Sequence, residues 1–98
     1  MKLAAIQMTS GADVAENLAM ARSYVNEAAL AGADLVVLPE NFSLMARRHS
    51  DRLRAAGAED NVRTFLSTLA SQHQLVLVGG SVPLPAAENR VTNTCLVY

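Results

Sequence analysis

A carboxylate stands directly after a short apolar run near the middle of the chain. The run Leu35-Val36-Val37-Leu38 has no polar alternation, which is typical of a strand buried on both faces. Pro39 ends it, because proline has no N–H to donate to a strand ladder. Glu40 follows at the carboxyl end of this predicted strand, where open α/β sheets bind their ligands. We therefore take Glu40 as the candidate functional residue, against the alternative of a solvated loop residue.

Two side chains adjoin this carboxylate in sequence. Asn41 and Phe42 follow Glu40 directly and are candidates for lining a substrate pocket. The alternative is that they anchor the loop, with Phe42 in the hydrophobic core. The sequence favours the anchoring interpretation slightly and leaves both open.

A group of basic side chains follows in the same long segment. Such a group could bind a carboxylate of a substrate, since the guanidinium fork pairs with carboxylates. A solvated helix face is the alternative, because charge runs usually mark one. His49 and His73 have no Cys or acidic partner at metal-ligand spacing, so we expect no metal site. No organic cofactor is expected either. The arginines concerned are Arg47, Arg48, Arg52 and Arg54.

The first half of the chain supplies a strand, a helix and a second strand to position Glu40. Residues 2–8 (KLAAIQM) predict the first strand. Asp13 with Glu16 forms a capping-box pattern that starts a helix, and Gly32 is a natural stop for it. Val14, Leu18, Ala21, Val25 and Ala28 form its apolar stripe, while Asn17 is assigned to the polar positions. The two strands of such a unit should be parallel.

The second half continues with a loop and alternating elements. Residues 41–57 form a long loop with a helical turn near 50–56, and a second helix begins at Glu59 or Asp60. Residues 75–78 predict a third strand, and the glycine pair after it allows a close approach. A turn at 85–89 leads to a fourth strand at 91–98, expected to pair antiparallel with the third. The buried stripe of the second helix is predicted at Val62, Phe65, Leu66, Leu69 and Ala70.

Composition limits the class of protein. The 98 residues suffice for one small domain, and 51% hydrophobic against 17% charged residues is typical of a folded core. A net charge of -1 gives no reason to expect nucleic acid or an anionic membrane surface as a partner. The apolar runs are too short to span a bilayer. A single Cys excludes an internal disulfide and favours a reducing, cytoplasmic location.

Several stretches together resemble a known family. They are AAIQM near the start, the helix with Asn17, GADLVVLPENF, the helix with FLSTLA, LVLVGGSVP and the closing NTCLVY. With them, essentially the whole chain resembles the amino-terminal part of the nitrilase, or carbon–nitrogen hydrolase, family. LPE after a GAD-type helix end, followed at this distance by VGGS, is the specific combination. LPENF followed by a loop with arginines is most similar to the ω-amidase and deaminated-glutathione amidase branch.

The resemblance implies a fold, an activity and a role for one residue. It implies an α/β fold, in which the elements predicted above, in the order β-α-β-α-β-β, form part of an α-β-β-α sandwich. It implies cleavage of a non-peptide C–N bond of a small amide by a Glu-Lys-Cys triad, with Glu40 at the position of the general base. The Lys and the nucleophilic Cys belong to family segments beyond this chain, and a homo-oligomer is expected of the full-length enzyme. We expect the strand walls to shield Glu40 from water.

Lys2 and Cys95 are the chain's own Lys and Cys, so they are tested as triad members. Lys2 opens the first strand whereas Glu40 ends the second, which separates them by roughly 20 Å at about 3.3 Å per residue. A triad needs contacts of about 3 Å. Cys95 alternates with other residues of a predicted strand, where a Cys is more often a small buried hydrophobe, and neither a helix terminus nor a cation flanks it to activate the thiol. We assign neither residue to the triad.

Two interpretations remain from different classes. In the first, residues 1–98 are the amino-terminal portion of a single carbon–nitrogen hydrolase domain, cut within a strand and inactive alone. In the second, they form a small non-catalytic α/β module that binds a ligand or partner through its long loop. A flavodoxin-like or nucleotide-binding half is disfavoured, since no glycine fingerprint follows the first strand.

Overall fold

The computed structural model describes residues 1–57 and 59–98. Its elements follow the order that the sequence predicts. Two additional short elements lie in the second half, a helix at 49–56 and a strand at 82–86. In chain order they are β1 (Leu3–Ala5), α1 (Val14–Leu30), β2 (Leu35–Val37), α2 (His49–Ala56), α3 (Glu59–His73), β3 (Val76–Val78), β4 (Val82–Ala86) and β5 (Arg90–Thr94).

Strands β1, β2 and β3 form a parallel sheet with β2 in the centre. Leu35 is in register with Leu3 on one side and with Val76 on the other. The parallel β1–α1–β2 arrangement predicted from the sequence is therefore confirmed. Strand β2 bonds to a neighbour on each side. The residues that follow it therefore emerge between β1 and β3, at the carboxyl end of the sheet.

Helix α1 begins and ends at the predicted signals. The Asp13 carboxylate accepts a hydrogen bond from the Glu16 N–H at 3.1 Å, which satisfies a backbone donor of the first turn. The helix ends at Leu30, and Gly32 has a φ of 89°, a conformation that suits glycine at a helix end.

The core lies between the sheet and two helices. Val36 and Leu77, at matched positions of β2 and β3, are fully buried, as are Ala21 and Val25 of α1. Each valine or leucine side chain contributes about 1.5–3 kcal/mol when it is fully buried. The predicted stripe of α3 is confirmed, since all five of its residues are buried: Val62, Phe65, Leu66, Leu69 and Ala70.

The prediction for the end of the chain was partly wrong. Residues 91–98 were expected to form one strand paired with β3, but β5 pairs antiparallel with β4 instead. Only the last residues reach β3: the Leu77 N–H donates to the Tyr98 carbonyl at 2.8 Å, and the Tyr98 N–H donates back at 3.0 Å. Strand β4 escaped prediction because Pro83 and Pro85 argue against a strand, although proline is tolerated at a sheet edge.

The two faces of the parallel sheet differ in exposure. The face that carries Val36 and Leu77 is buried, whereas Leu3 and Val76 on the opposite face are 64% and 44% exposed. Across residues 1–57 and 59–98, no helix is long and apolar enough to cross a membrane.

Candidate active site

Glu40 lies just beyond the carboxyl end of the central strand. The Leu38 N–H donates to the Val78 carbonyl at 2.9 Å, which extends the β2–β3 ladder by one residue before Pro39 ends it. The Glu40 side chain is exposed. The expectation that strand walls shield it from water was therefore wrong for this chain, because the carboxylate stands on the loop beyond the last ladder bond.

The connection after β3 touches the backbone immediately before Glu40. Gly80 has a φ of 59°, and a Cβ built on it would lie 1.9 Å from the Pro39 carbonyl oxygen and 2.7 Å from that of Leu38. No side chain fits at such distances, so only glycine allows this approach. The close approach predicted from the glycine pair is confirmed, and it is made against the residues that precede Glu40.

Three polar side chains bind the backbone of the three residues after Glu40. One follows β1, one lies in α1 and one follows β3. The hydrogen bonds run from Ser10 Oγ to the Phe42 carbonyl (2.8 Å), from Asn17 Nδ2 to the Ser43 carbonyl (2.8 Å) and from the Asn41 N–H to Ser81 Oγ (2.9 Å). Because these bonds are made to the backbone, they fix the path of residues 41–43.

Asn17 was placed on the polar face of α1, and that placement was wrong. The residue is only 2% exposed. Its Oδ1 accepts from the Gly11 N–H at 2.9 Å, and its Nδ2 donates to the Gly11 carbonyl at 2.9 Å as well as to Ser43. The spacing could have revealed this, since Asn17 is three residues after Val14 and four before Ala21, within the apolar stripe.

Phe42 and Asn41 occupy different environments. Phe42 is fully buried and stacks on Phe65, with ring centroids 6.4 Å apart and planes 27° apart. This is the core position that the anchoring interpretation expected for Phe42. Asn41 is half-buried with a φ of 54°, and its Oδ1 accepts from Arg52 at 3.3 Å.

Arg52 differs from the other arginines of the loop. Its guanidinium donates to Asn41 Oδ1 with one nitrogen and to Asn93 Oδ1 with another, so it links α2 to the loop after Glu40 and to β5. Asn93 lies 41 residues from Arg52 in the chain, so no local pattern indicated this pairing. The remaining three arginines are exposed to solvent: Arg47, Arg48 and Arg54.

Lys2 and Cys95 lie in unrelated positions. The register places Lys2 beside Asp34, to whose Oδ2 the Lys2 backbone N–H donates at 2.7 Å. Six residues along the chain then separate its level from Glu40, roughly 20 Å for extended backbone at about 3.3 Å per residue. Cys95 is a free, exposed thiol that follows β5. The Lys2 Nζ donates to the Ala31 carbonyl and not to Glu40.

The histidines have structural partners. His49 Nε2 lies 2.9 Å from the Asn89 carbonyl, and His73 Nε2 lies 2.6 Å from Asn26 Oδ1. In the part of the chain that the structure describes, no group of three or more His, Cys, Asp or Glu side chains could hold a metal ion.

The chain belongs to the carbon–nitrogen hydrolase family, whose model matches residues 2–98. It is 36% identical over 84 residues to a deaminated glutathione amidase of Synechocystis sp. (strain PCC 6803), covering 86% of this chain and 31% of the relative. It is 32% identical over 99 residues to a human omega-amidase, covering 99% of this chain and 35% of the relative.

Solved structures share the fold. A mutant of an amidase from Nesterenkonia sp. AN1, with acrylamide added at its active site cysteine, superimposes with a TM-score of 0.82 at 25% identity. The match covers 99% of this chain and 39% of that one. The chain spans about a third of the length of the curated relatives it matches.

Proposed function

We propose that residues 1–98 are the amino-terminal portion of a single carbon–nitrogen hydrolase domain that cleaves a small amide, with Glu40 as the general base. The observation that carries the proposal is the position of Glu40. It follows the central strand of the parallel sheet, and the backbone of the next three residues is held by side chains from three other parts of the chain. A general base needs a fixed position of this kind.

The proposed chemistry assigns a proton-transfer role to Glu40. A cysteine thiol supplied by the remainder of the domain loses its proton to the Glu40 carboxylate and attacks the amide carbon. A lysine, also from the remainder, stabilises the negative charge on the tetrahedral oxygen. The C–N bond breaks as Glu40 returns its proton to the departing nitrogen. Water then attacks the thioester, Glu40 accepts its proton, and the acid and free thiol are released.

The other candidate residues receive supporting roles. We infer that Phe42 anchors the loop through its stack on Phe65 and does not contact the substrate, because its side chain is fully buried. Asn41 is half-buried beside Glu40 and remains the candidate for a contact with the substrate. The active site cysteine of the Nesterenkonia amidase supports the nucleophile proposed here. A homo-oligomer and a cytoplasmic location remain predictions.

The test compares the 98-residue chain with the protein encoded by the complete reading frame that contains it. Ammonia release is measured with a panel of small amides, including ones that carry a carboxylate. The full-length protein should release ammonia, and the 98-residue chain should not, since the proposed lysine and nucleophilic cysteine belong to the remainder of the domain. Release by the chain alone, a full-length protein inert on the panel, or a stop codon directly after Tyr98 would contradict the proposal.

A further inference from the structure

The hydroxyl of Ser81 holds the peptide group that joins Glu40 to Asn41. The Asn41 N–H donates to Ser81 Oγ at 2.9 Å, across 40 residues of sequence. Ser81 is half-buried and belongs to the connection between β3 and β4, so the bond joins two neighbouring strand ends. Asn41 has a φ of 54°, in the left-handed region that asparagine adopts more readily than most residues other than glycine.

The segments that follow β2 and β3 contact each other at residues on both sides of Glu40 in the sequence. Before it, Leu38 bonds to the Val78 carbonyl at 2.9 Å, and Gly80 packs directly on the Pro39 carbonyl. After it comes the bond between Asn41 and Ser81. Of these contacts, only the last depends on a side chain, so it is the one that a substitution can remove without altering the main-chain path of the strands.

We propose that Ser81 is a positioning residue for Glu40 and that it acts through the backbone N–H of Asn41. The inference deepens the function proposed above and rests on it. Ser81 fixes the peptide plane on the carboxyl side of Glu40, while Gly80 brings the β3–β4 connection close enough for the hydroxyl to reach it. Ser81 affects the position of the Glu40 carboxylate, and this role requires no contact between the Ser81 hydroxyl and the substrate.

Removing the hydroxyl should lower the rate of the chemical step more than substrate affinity. The Asn41 N–H would lose its acceptor, and the segment that carries Glu40 would gain freedom. A misplacement of about 1 Å at a reacting group can cost up to about 100-fold in rate. Substrate binding should change little, because Ser81 contacts the backbone of the loop.

The experiment uses Ser81→Ala in the full-length enzyme, with two matched variants. Ser81→Ala should lower kcat roughly 10- to 100-fold with little change in KM. Ser81→Thr keeps the hydroxyl and should restore most of kcat. Ser67→Ala is the control, since the Ser67 hydroxyl donates to the Thr64 carbonyl on the exposed side of α3 at 3.2 Å, and it should behave as the parent. Amide hydrogen exchange of the peptide containing Asn41 should quicken only in Ser81→Ala.

Glu40→Gln in the same enzyme separates the two proposals. If Glu40→Gln is inactive while Ser81→Ala keeps the parent kcat and the parent exchange rate at Asn41, this inference is overturned and the proposed function stands. If Glu40→Gln is active, the proposed function itself fails. Should the alanine variant not fold, Ser81→Cys keeps the shape and weakens the acceptor, and a lowered kcat with unchanged KM is again the expected result.

Discussion

The side-chain amide of Asn17 donates a buried hydrogen bond of 2.8 Å to the carbonyl of Ser43, 26 residues away. The same amide is paired with both backbone groups of Gly11. The first turn of α1, the segment after β1 and the segment after β2 are therefore held together by one side chain. A buried amide is tolerated in a core only when its groups are satisfied in this way.

Asn17→Ala should destabilise the protein strongly. The substitution leaves the buried Ser43 carbonyl without its partner, at about 1–3 kcal/mol for an unsatisfied buried group. It also removes the two part-buried bonds to Gly11, whose carbonyl still accepts from the Met45 N–H. Urea unfolding of the full-length enzyme measures the loss. Asn61→Ala is the matched control, because Asn61 is exposed on α3 and should lie within about 0.5 kcal/mol of the parent. Equal stability of the two variants would show that the Asn17 bonds contribute nothing net.

Gly80→Ala and Gly11→Ala should differ sharply. At Gly80 the added Cβ would overlap the Pro39 carbonyl oxygen, and the positive φ adds strain of about 1–3 kcal/mol. At Gly11 the added Cβ meets nothing within 4 Å. Thermal unfolding should therefore show a lowered Tm for Gly80→Ala and a much smaller change for Gly11→Ala. A Gly80→Ala variant with the parent Tm would contradict the close packing against Pro39.

Phe42→Ala should act on stability. Removing a fully buried aromatic ring that stacks on Phe65 costs about 3–5 kcal/mol, whereas Phe42→Leu retains most of the apolar volume and should cost less. The free energy of unfolding and the KM of Phe42→Leu are the quantities to measure. A stable Phe42→Leu enzyme with a greatly raised KM would instead favour direct contact between Phe42 and the substrate.

Cys95→Ser should leave turnover nearly intact in the full-length enzyme. The thiol is exposed, lies after β5, and has no place in the proposed triad. Ammonia release by the variant should match that of the parent within about twofold, because surface substitutions away from special features change little. Loss of all activity in a normally folded Cys95→Ser enzyme would make Cys95 the nucleophile and overturn the assignment.

Local signals predicted the scaffold well. The cap at Asp13, the stop near Gly32 and the buried stripe of α3 each depend on neighbours close in sequence, and the structure confirms all three. The unalternating run before Pro39 correctly indicated a strand within a parallel sheet. These features follow from backbone geometry and apolar periodicity, which a single sequence displays.

Long-range polar contacts could not be predicted in the same way. The bonds from Asn17 to Ser43 and from Arg52 to Asn93 join segments 26 and 41 residues apart, and sequence spacing does not show which distant segments come into contact. The pairing of β5 with β4 was missed for a different reason. Pro83 and Pro85 argue against a strand at β4, because proline has no N–H for a strand ladder. Strand β4 lies at a sheet edge, where the missing N–H groups are tolerated.

The most direct measurement of the central claim is kcat for Glu40→Gln in the full-length enzyme. The amide keeps the size of the side chain and removes its capacity to accept a proton, so kcat should fall roughly 10²- to 10⁴-fold with folding unchanged. Glu27→Gln, on an exposed position of α1, is the matched control and should retain the parent kcat. A Glu40→Gln enzyme that turns over at the parent rate would contradict the role of Glu40 as the general base.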